Sequence, residues 1–395
     1  MVTPCQAVRD VTKPRLSPQS GMGCCSVDDR DVLTVYPERI WPAAALMLCL
    51  TVIAIWLLAG WAQRRRLLLD HAGGRKRHDG AIPLVGGPVL AAGLIGVVLL
   101  VPGWTLTDSW TLLLGVLVLA VMGIADDLLD LPAWPRLLVQ LALVVTVVVA
   151  GGVVLNFIGD LFGMGRIGLG PLKVVFTVLC LLFLINAINM LDGMDGLVGA
   201  VALLSCVAFS WLAYSRGVTG VGAVAVLLAA ALLAFLLFNA RAPWRCRASV
   251  YLGDSGSMVL GFVLGWMAVT LAESSASPRI APATIALVLL FPAADAIAAF
   301  LRRVRAGRNP LAPDRAHLHH LLLRSGYSVG TTWALLVSSH LLWVALAIWF
   351  HQQRTVEWIQ FSVAVLGFTA YVVLALEGRR VLRVVRRRRR SPGRD

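Results

Sequence analysis

Polar positions in this chain are scarce and gathered into short clusters, and long apolar runs separate them. Eleven runs are long enough to cross a bilayer: about 41–61, 84–102, 110–125, 137–154, 171–188, 197–215, 220–239, 255–272, 281–301, 331–350 and 357–376. The pattern predicts an all-α fold, a polytopic integral membrane protein with about 11 transmembrane helices. Its membrane region covers 33–376, followed by a basic tail at 377–395. Residues 1–32 are polar, nearly balanced in charge and without an apolar core segment, so they read as a disordered extension or an over-long gene start, not a signal peptide.

Composition strengthens this picture. At 58% hydrophobic, 14% charged and a mean hydropathy of +0.81, the chain carries far more apolar residues than a soluble domain of its length needs. Charge sets the orientation. If the C-terminus is cytoplasmic, 25 Lys and Arg fall on that side, notably Arg64–Arg66, Arg75–Arg77, Arg302–Arg308 and Arg386–Arg390, against 10 on the other. The positive-inside rule then predicts N-out, C-in. The net charge of +14 does not indicate nucleic acid, because the basic residues lie beside spans without interleaved aromatics. They suit anionic lipid head groups instead. Seven scattered cysteines show neither CxxC nor zinc spacing and imply no disulfide framework.

In the predicted topology every polar cluster falls on the cytoplasmic side. GIADDLLD ends the third span and puts Asp126, Asp127 and Asp130 at helical spacing, predicting one shared face. NAINMLDGMDGL follows the fifth and sets Asn186, Asn189, Asp192 and Asp195 three apart. On an ideal helix these would drift around the axis, so Gly193 and Gly196 are expected to loosen the turn and aim both acids at one cavity. YLGDSGS opens the eighth span and offers Asp254, hydroxyls and helix N-terminal amides together, which suits a metal and a phosphate. PDRAHLHH, with His317 and His320 three apart, lies in the long loop before the tenth span, near Arg302, Arg303, Arg305 and Arg315. Carboxylates beside cationic groups point to a divalent cation holding a polyphosphate, with Arg and His on the remaining oxygens.

Each cluster also has a purely structural reading. The Asp126 group can be a solvated helix end, Asn186 and Asn189 interhelical hydrogen-bond glue, the glycines around Asp254 packing sites, the histidines a polar loop and the Arg302–Arg308 run topogenic. Their coincidence on one membrane face favours a common site.

DDLLD, NAINMLDGMDGL, YLGDSGS and PDRAHLHH, in this order and separated by spans, resemble the polyprenyl-phosphate N-acetylhexosamine-1-phosphate transferases, the bacterial WecA, TagO and MraY group. RKRHDGAIPLVGG at 75–87 resembles the WecA type in particular. One departure is at Asp70–Gly74, where the family's Asp-x-Pro-Asn reads Asp-His-Ala-Gly-Gly. The resemblance covers about 33–390 and implies a phosphosugar transferase of the bacterial cytoplasmic (inner) membrane. It implies transfer of GlcNAc-1-phosphate from UDP-GlcNAc to undecaprenyl phosphate with release of UMP, the initiating step of a lipid-linked cell-surface polysaccharide.

By the same resemblance, Asn189 and Asp254 hold Mg²⁺ or Mn²⁺, and Asp126 and Asp127 lie nearest the acceptor phosphate. Asp192 and Asp195 shape the metal and nucleotide site with Asn186 and Asp130 around it, and Arg303, Arg315, His317, His319 and His320 bind phosphate or sugar. Arg136 is a further candidate for the lipid phosphate, and a homodimer is compatible with the family. Three rivals are a UDP-MurNAc-pentapeptide transferase, expected to carry three adjacent histidines; a UbiA-like prenyltransferase, expected to carry two DDxxD-like motifs; and a transporter, expected to place its acids near the bilayer midplane.

The charge asymmetry yields a direct test. Cysteines introduced at Ser391 and beside Arg315 are expected to react with impermeant thiol reagents only from the cytoplasmic side. Labelling of either in intact cells from outside rejects the orientation.

Overall fold

A computed structural model describes residues 37–70, 81–100, 106–241, 245–274, 279–307 and 317–389. The N-terminal extension, Arg75–Arg77, positions 71–74 of the departure noted above, and Arg315 lie outside the described residues.

The chain is a helical bundle. Helix α1 (Pro37–Arg65) leads through a two-residue antiparallel ribbon, in which Leu69 pairs with Pro83 and Asp70 with Ile82, into α2 (Gly86–Leu100) and α3 (Leu106–Leu129). Then follow α4 (Ala133–Val149), α5 (Lys173–Leu191), α6 (Leu197–Tyr214), α7 (Thr219–Asn239) and α8 (Gly253–Glu273). The C-terminal part comprises α9 (Pro282–Val288), α10 (Leu290–Arg305), α11 (Leu318–Arg324), α12 (Val329–Gln352) and α13 (Glu357–Arg389). Each of the eleven apolar runs coincides with helix. Among the described residues, eight helices are long and apolar enough to cross a membrane, so the protein is a multi-pass membrane protein. The remaining runs are the shorter α2 and α4 and the pair α9–α10, which bends by 69°.

Three boundaries differ from the sequence expectation for identifiable reasons. The 281–301 run breaks at Leu289, because Pro292 has no N–H to give the Val288 carbonyl and its ring crowds that turn. The 137–154 run starts earlier, at Ala133 after Pro132, and stops at Val149 before Gly151 and the left-handed Gly152 (φ +68°). The last helix does not stop at 376 but continues as helix to Arg389.

Helix α8 is the axis of the bundle. Its span window is 89% buried inside the protein, against 17% for α1 and 22% for α13 on the periphery. Apolar burial alone does not select one packing in lipid, where neighbouring chains are equally apolar, so contact is made through small residues. A Cβ on Gly261 would lie 2.6 Å from the Cα of Ile185 in α5, and one on Gly87 in α2 would lie 2.6 Å from the Cα of Gly256 in α8. A Cβ on Gly123 of α3 would lie 2.8 Å from the carbonyl carbon of Asp254. These contacts draw α2, α3 and α5 onto the N-terminal half of α8. The segment before α2 adds a backbone clamp: Tyr251 N donates to Pro83 O (2.8 Å), Gly86 N to Tyr251 O (3.0 Å) and Gly87 N to Leu252 O (2.9 Å). At the far end of α8, Glu273 accepts from Asn156 N (2.8 Å) and Nδ2 (2.9 Å), pinning the irregular 150–172 connection.

Gly123→Ala is expected to push α3 off α8 and to lower stability by about 1–3 kcal/mol, the usual cost of overpacking. Gly96→Ala, whose added methyl meets nothing within 4 Å, is expected to be tolerated. Thermal unfolding of the two purified variants checks this, and equal melting temperatures would refute the close-contact role of Gly123.

Candidate active site

The site begins with an unfinished helix end. Four N–H groups at the start of any helix lack intrahelical acceptors, and α8's N-cap residue, Leu252, has no side chain to supply one. Asp127, from the end of α3, does so across the bundle. Its Oδ1 accepts from Asp254 N (2.9 Å), and its Oδ2 lies at 3.4 Å from Ser255 N and 3.3 Å from Ser255 Oγ. A carboxylate at this position also faces the positive end of the helix dipole. Gly253, at φ +75°, makes the turn that brings these amides forward.

Asp126, next in the same turn, is 5% exposed and accepts from Leu131 N (2.9 Å) and from Arg136 Nη1. Arg136, in the first turn of α4, also reaches to 4.0 Å from Asp254 Oδ2 and so stands between two carboxylates. Asp130 does not share their face. Helix α3 ends at Leu129, and Asp130 takes the left-handed conformation (φ +50°) and is exposed. With Pro132 two residues on, the chain cannot continue the helix that the four-residue spacing assumed.

Helix α5 contributes the third side. Asn189 Nδ2 lies 2.6 Å from Asp254 Oδ1 and 2.9 Å from Ser257 Oγ, joining the ends of α5 and α8. Asn186, one turn earlier, donates to Gln140 Oε1 of α4 (2.8 Å), whose Nε2 reaches Met258 Sδ (3.1 Å). The side chain of Asp254 is 39% exposed, against 3% for Asp126. Asp254 and the amide oxygen of Asn189 are hard donors on adjoining helices, and turning the Asn189 amide over presents that oxygen. Such a pair fits Mg²⁺ or Mn²⁺, which bind through one or two protein oxygens with the rest from phosphates and water. Among the described residues no three His, Cys, Asp or Glu converge to hold a metal by themselves.

Gly196, at φ +75°, loosens the α5–α6 turn as expected, whereas Gly193 takes no left-handed φ. Asp192 caps the end of α5. Asp195, however, does not turn to the same cavity. It accepts from Arg241 Nε (2.9 Å) and Ala248 N (3.2 Å), near Tyr251. Burial, with Asp195 and Asp70 nearby, pushes the Tyr251 hydroxyl up to about 12.

The histidine motif closes the turn from outside. His317 and His319 are buried and their rings stack at 5.7 Å, and the His320 ring is 4.2 Å from that of His319. A Cβ on Gly193 would lie 2.7 Å from His319 Nε2, so α11 docks directly on the α5–α6 turn. Burial, with His320 and His317 adding to it, depresses the His319 pKa to about 3. Arg303 is buried in the last turn of α10.

The sequence has clear relatives. The profile of glycosyl transferase family 4 matches residues 109–272. The undecaprenyl-phosphate alpha-N-acetylglucosaminyl 1-phosphate transferase of Haemophilus influenzae is 32% identical over 86% of this chain and 94% of its own length. Proteins of the same name from Pasteurella multocida and Escherichia coli K12 are 33% and 31% identical over 82% of the chain and 90% and 88% of theirs. The chain belongs to glycosyl transferase family 4. It is therefore an enzyme, a membrane-embedded phosphotransferase.

For this family 4 member, the structure joins Asp126, Asp127, Arg136, Asn189 and Asp254 at one end of the bundle and brings His319 to the adjoining turn. It sets Asp130 and Asp195 apart from them. Sequence reasoning passed over Gln140, Arg241, Asp295 and Tyr371. Asp295 carried the plainest signal, a lone carboxylate inside an apolar helix. Gln140 and Tyr371 gave none, because polar residues at apolar helix positions acquire meaning only from the neighbour they meet.

The depressed His319 pKa predicts an acid limit on stability. The unfolded chain takes up this proton below about pH 6.5 while the native state refuses it until about pH 3, so the contribution is complete above 6.5 and is lost as pH falls through that window. Wild-type stability should decline from pH 7 to 5 with a term of up to about 1.4 kcal/mol per pH unit. His319→Gln should decline less steeply, as measured by thermal unfolding. Parallel curves for the two proteins would refute the assignment.

Proposed function

We propose that this enzyme transfers GlcNAc-1-phosphate from UDP-GlcNAc to undecaprenyl phosphate at the cytoplasmic face of the bacterial inner membrane, giving undecaprenyl-diphospho-GlcNAc and UMP. The reaction initiates a lipid-linked cell-surface polysaccharide. The observation that carries this reading is the convergence of Asp126–Arg136, Asp127 and Asn189–Asp254 at one end of the helices. A lipid phosphate anchored in the bilayer meets a water-soluble nucleotide sugar only at such a surface. The name shared by the relatives supports the acceptor and the sugar. The orientation is N-out, C-in with eleven crossings, in which α2, α4 and the bent α9–α10 pair each count as one.

In the reaction, an oxygen of the acceptor phosphate attacks the β-phosphorus of UDP-GlcNAc, and the bond from that phosphorus to the oxygen shared with UMP breaks. A phosphate monoester, with a second pKa of about 6, is mostly dianionic at pH 7 and needs no strong base. Arg136 holds the acceptor phosphate, with Asp126 orienting the guanidinium. Asp127 has both oxygens engaged with the start of α8 and is poorly placed to act as a nucleophile, which favours direct displacement over an aspartyl intermediate. Asn189 and Asp254 are the residues that would hold Mg²⁺ or Mn²⁺, and such an ion would offset charge on the diphosphate and the leaving oxygen. His319 and His320 of α11, which docks on the turn that carries Asp192, and Arg303 bind the donor's phosphates and sugar.

The deciding experiment uses purified full-length protein, undecaprenyl phosphate, Mg²⁺ and a panel of UDP-sugars, with UMP release as readout. UDP-GlcNAc is expected to be the preferred donor, and EDTA to abolish turnover. Asp254→Asn should fold normally and lose roughly 10²–10³ in rate, comparable to deleting one preorganised transition-state contact. Full activity in EDTA, or in Asp254→Asn, would overturn the metal-assisted mechanism; preference for another UDP-sugar would overturn the donor.

A further inference from the structure

Asp295 places a charge in the middle of α10, 3% exposed, in a stretch that is otherwise Leu, Phe, Pro, Ala and Ile. Such a carboxylate persists only where hydrogen bonds replace water. It has three. Oδ1 accepts from Tyr371 Oη of α13 (2.9 Å) and from Leu318 N at the start of α11 (3.2 Å), and Oδ2 lies 2.8 Å from His317 Nδ1. One side chain thus ties together three elements and takes hold of the first residue of the histidine motif.

We infer that Asp295 is a positioning residue that fixes the tautomer and orientation of His317 and, through it, seats the histidine cluster against the donor-side turn. An ionised carboxylate can only accept, so the proton of neutral His317 resides on Nδ1 and the Nε2 lone pair faces away from Asp295. The His317 ring lies nearly parallel to that of His319 (8°), and His319 Nε2 abuts Gly193, four residues beyond Asn189. The contacts therefore run unbroken from Asp295 to the turn that carries Asp192. Tyr371 braces the carboxylate at Oδ1, the oxygen other than the one that meets His317, and takes no part in the chemistry. The consequence for catalysis rests on the donor-binding reading of the histidine motif given above; the tautomer does not.

Asp295→Asn separates this role from simple packing. The amide keeps the volume but has one acceptor atom, which the two donors Tyr371 Oη and Leu318 N retain, so its NH₂ faces His317. The ring must then accept at Nδ1 and carry its proton on Nε2. Full-length protein in nanodiscs with ¹⁵N-labelled histidine rings, the His317 signals identified by their loss in His317→Gln, reads the tautomer directly. Wild type is expected to show Nδ1–H and Asp295→Asn Nε2–H. In UMP-release assays, Asp295→Asn should raise the KM for UDP-GlcNAc by roughly tenfold or more, as for loss of one hydrogen bond to a charged group. Its kcat and its KM for undecaprenyl phosphate should stay within a few-fold. Tyr371→Phe, which leaves the carboxylate on His317, should keep both the tautomer and the donor KM. The inference is overturned by Nε2–H in wild type, by a folded Asp295→Asn with wild-type tautomer or donor KM, or by Tyr371→Phe reproducing the Asp295→Asn phenotype. If Asp295→Asn does not fold, the wild-type and Tyr371→Phe spectra decide. A wild type that releases no UMP overturns the transferase reading instead, and the tautomer then stands or falls on the spectra alone.

Discussion

The N-terminus of α8 is the constraint on which the rest of the site depends. A helix that starts inside a membrane protein exposes N–H groups that neither lipid nor its own sequence can satisfy, and here the acceptor arrives from α3 in the carboxylate of Asp127. That contact fixes the rotation and depth of α3 against α8. It requires close backbone approach, and Gly123 permits it where any side chain would collide, as Gly87 does for α2 against α8. The Pro83–Gly87 clamp on Tyr251 and Leu252 then holds the incoming strand of chain so that Gly253 can turn.

Once α8 is placed, the carboxylates acquire different characters from one short stretch of chain. Asp127 is spent on amides and Asp126 on Arg136, whereas Asp254 keeps an open face beside Asn189. Arg136, within reach of both Asp126 and Asp254, moderates a concentration of negative charge that two anionic substrates must approach. The same logic extends outward. Asp195 is balanced by Arg241, and Asp295 by the donors of His317, Leu318 and Tyr371. Asp126, Asp127, Asp195 and Asp295 are each compensated by their own donors, and Asp254, its side chain 39% exposed beside Asn189, is the one suited to a cation.

The histidine motif shows how a peripheral segment is brought into such a site. Helix α11 has only seven residues, too few to be stable alone, so its position comes from contacts at both of its faces. Asp295 grips its first turn from within the bundle, and Gly193 leaves room for the His319 ring on the other side.

What the sequence determined was local and one-dimensional. Hydropathy placed helix in all eleven runs, because the cost of leaving backbone groups unpaired in hydrocarbon allows an apolar run of that length little else. Motif order and spacing pointed to one group that included Asp126, Asp127, Asp130, Asn189, Asp192, Asp195 and Asp254; Asp126, Asp127, Asn189 and Asp254 converge, whereas Asp130 and Asp195 do not. Spacing failed where backbone chemistry overrode periodicity: Asp130 leaves the helix before Pro132, and the 281–301 run bends at Leu289, ahead of Pro292. Only the tertiary structure decided which acids are capped, paired or open, and that Gln140, Arg241, Asp295 and Tyr371 belong to the site's support. The contact between Asp127 and Asp254 joins positions 127 residues apart. Such a bond depends on how helices rotate and slide against one another in three dimensions, and the period of a single helix carries no record of its neighbour's face.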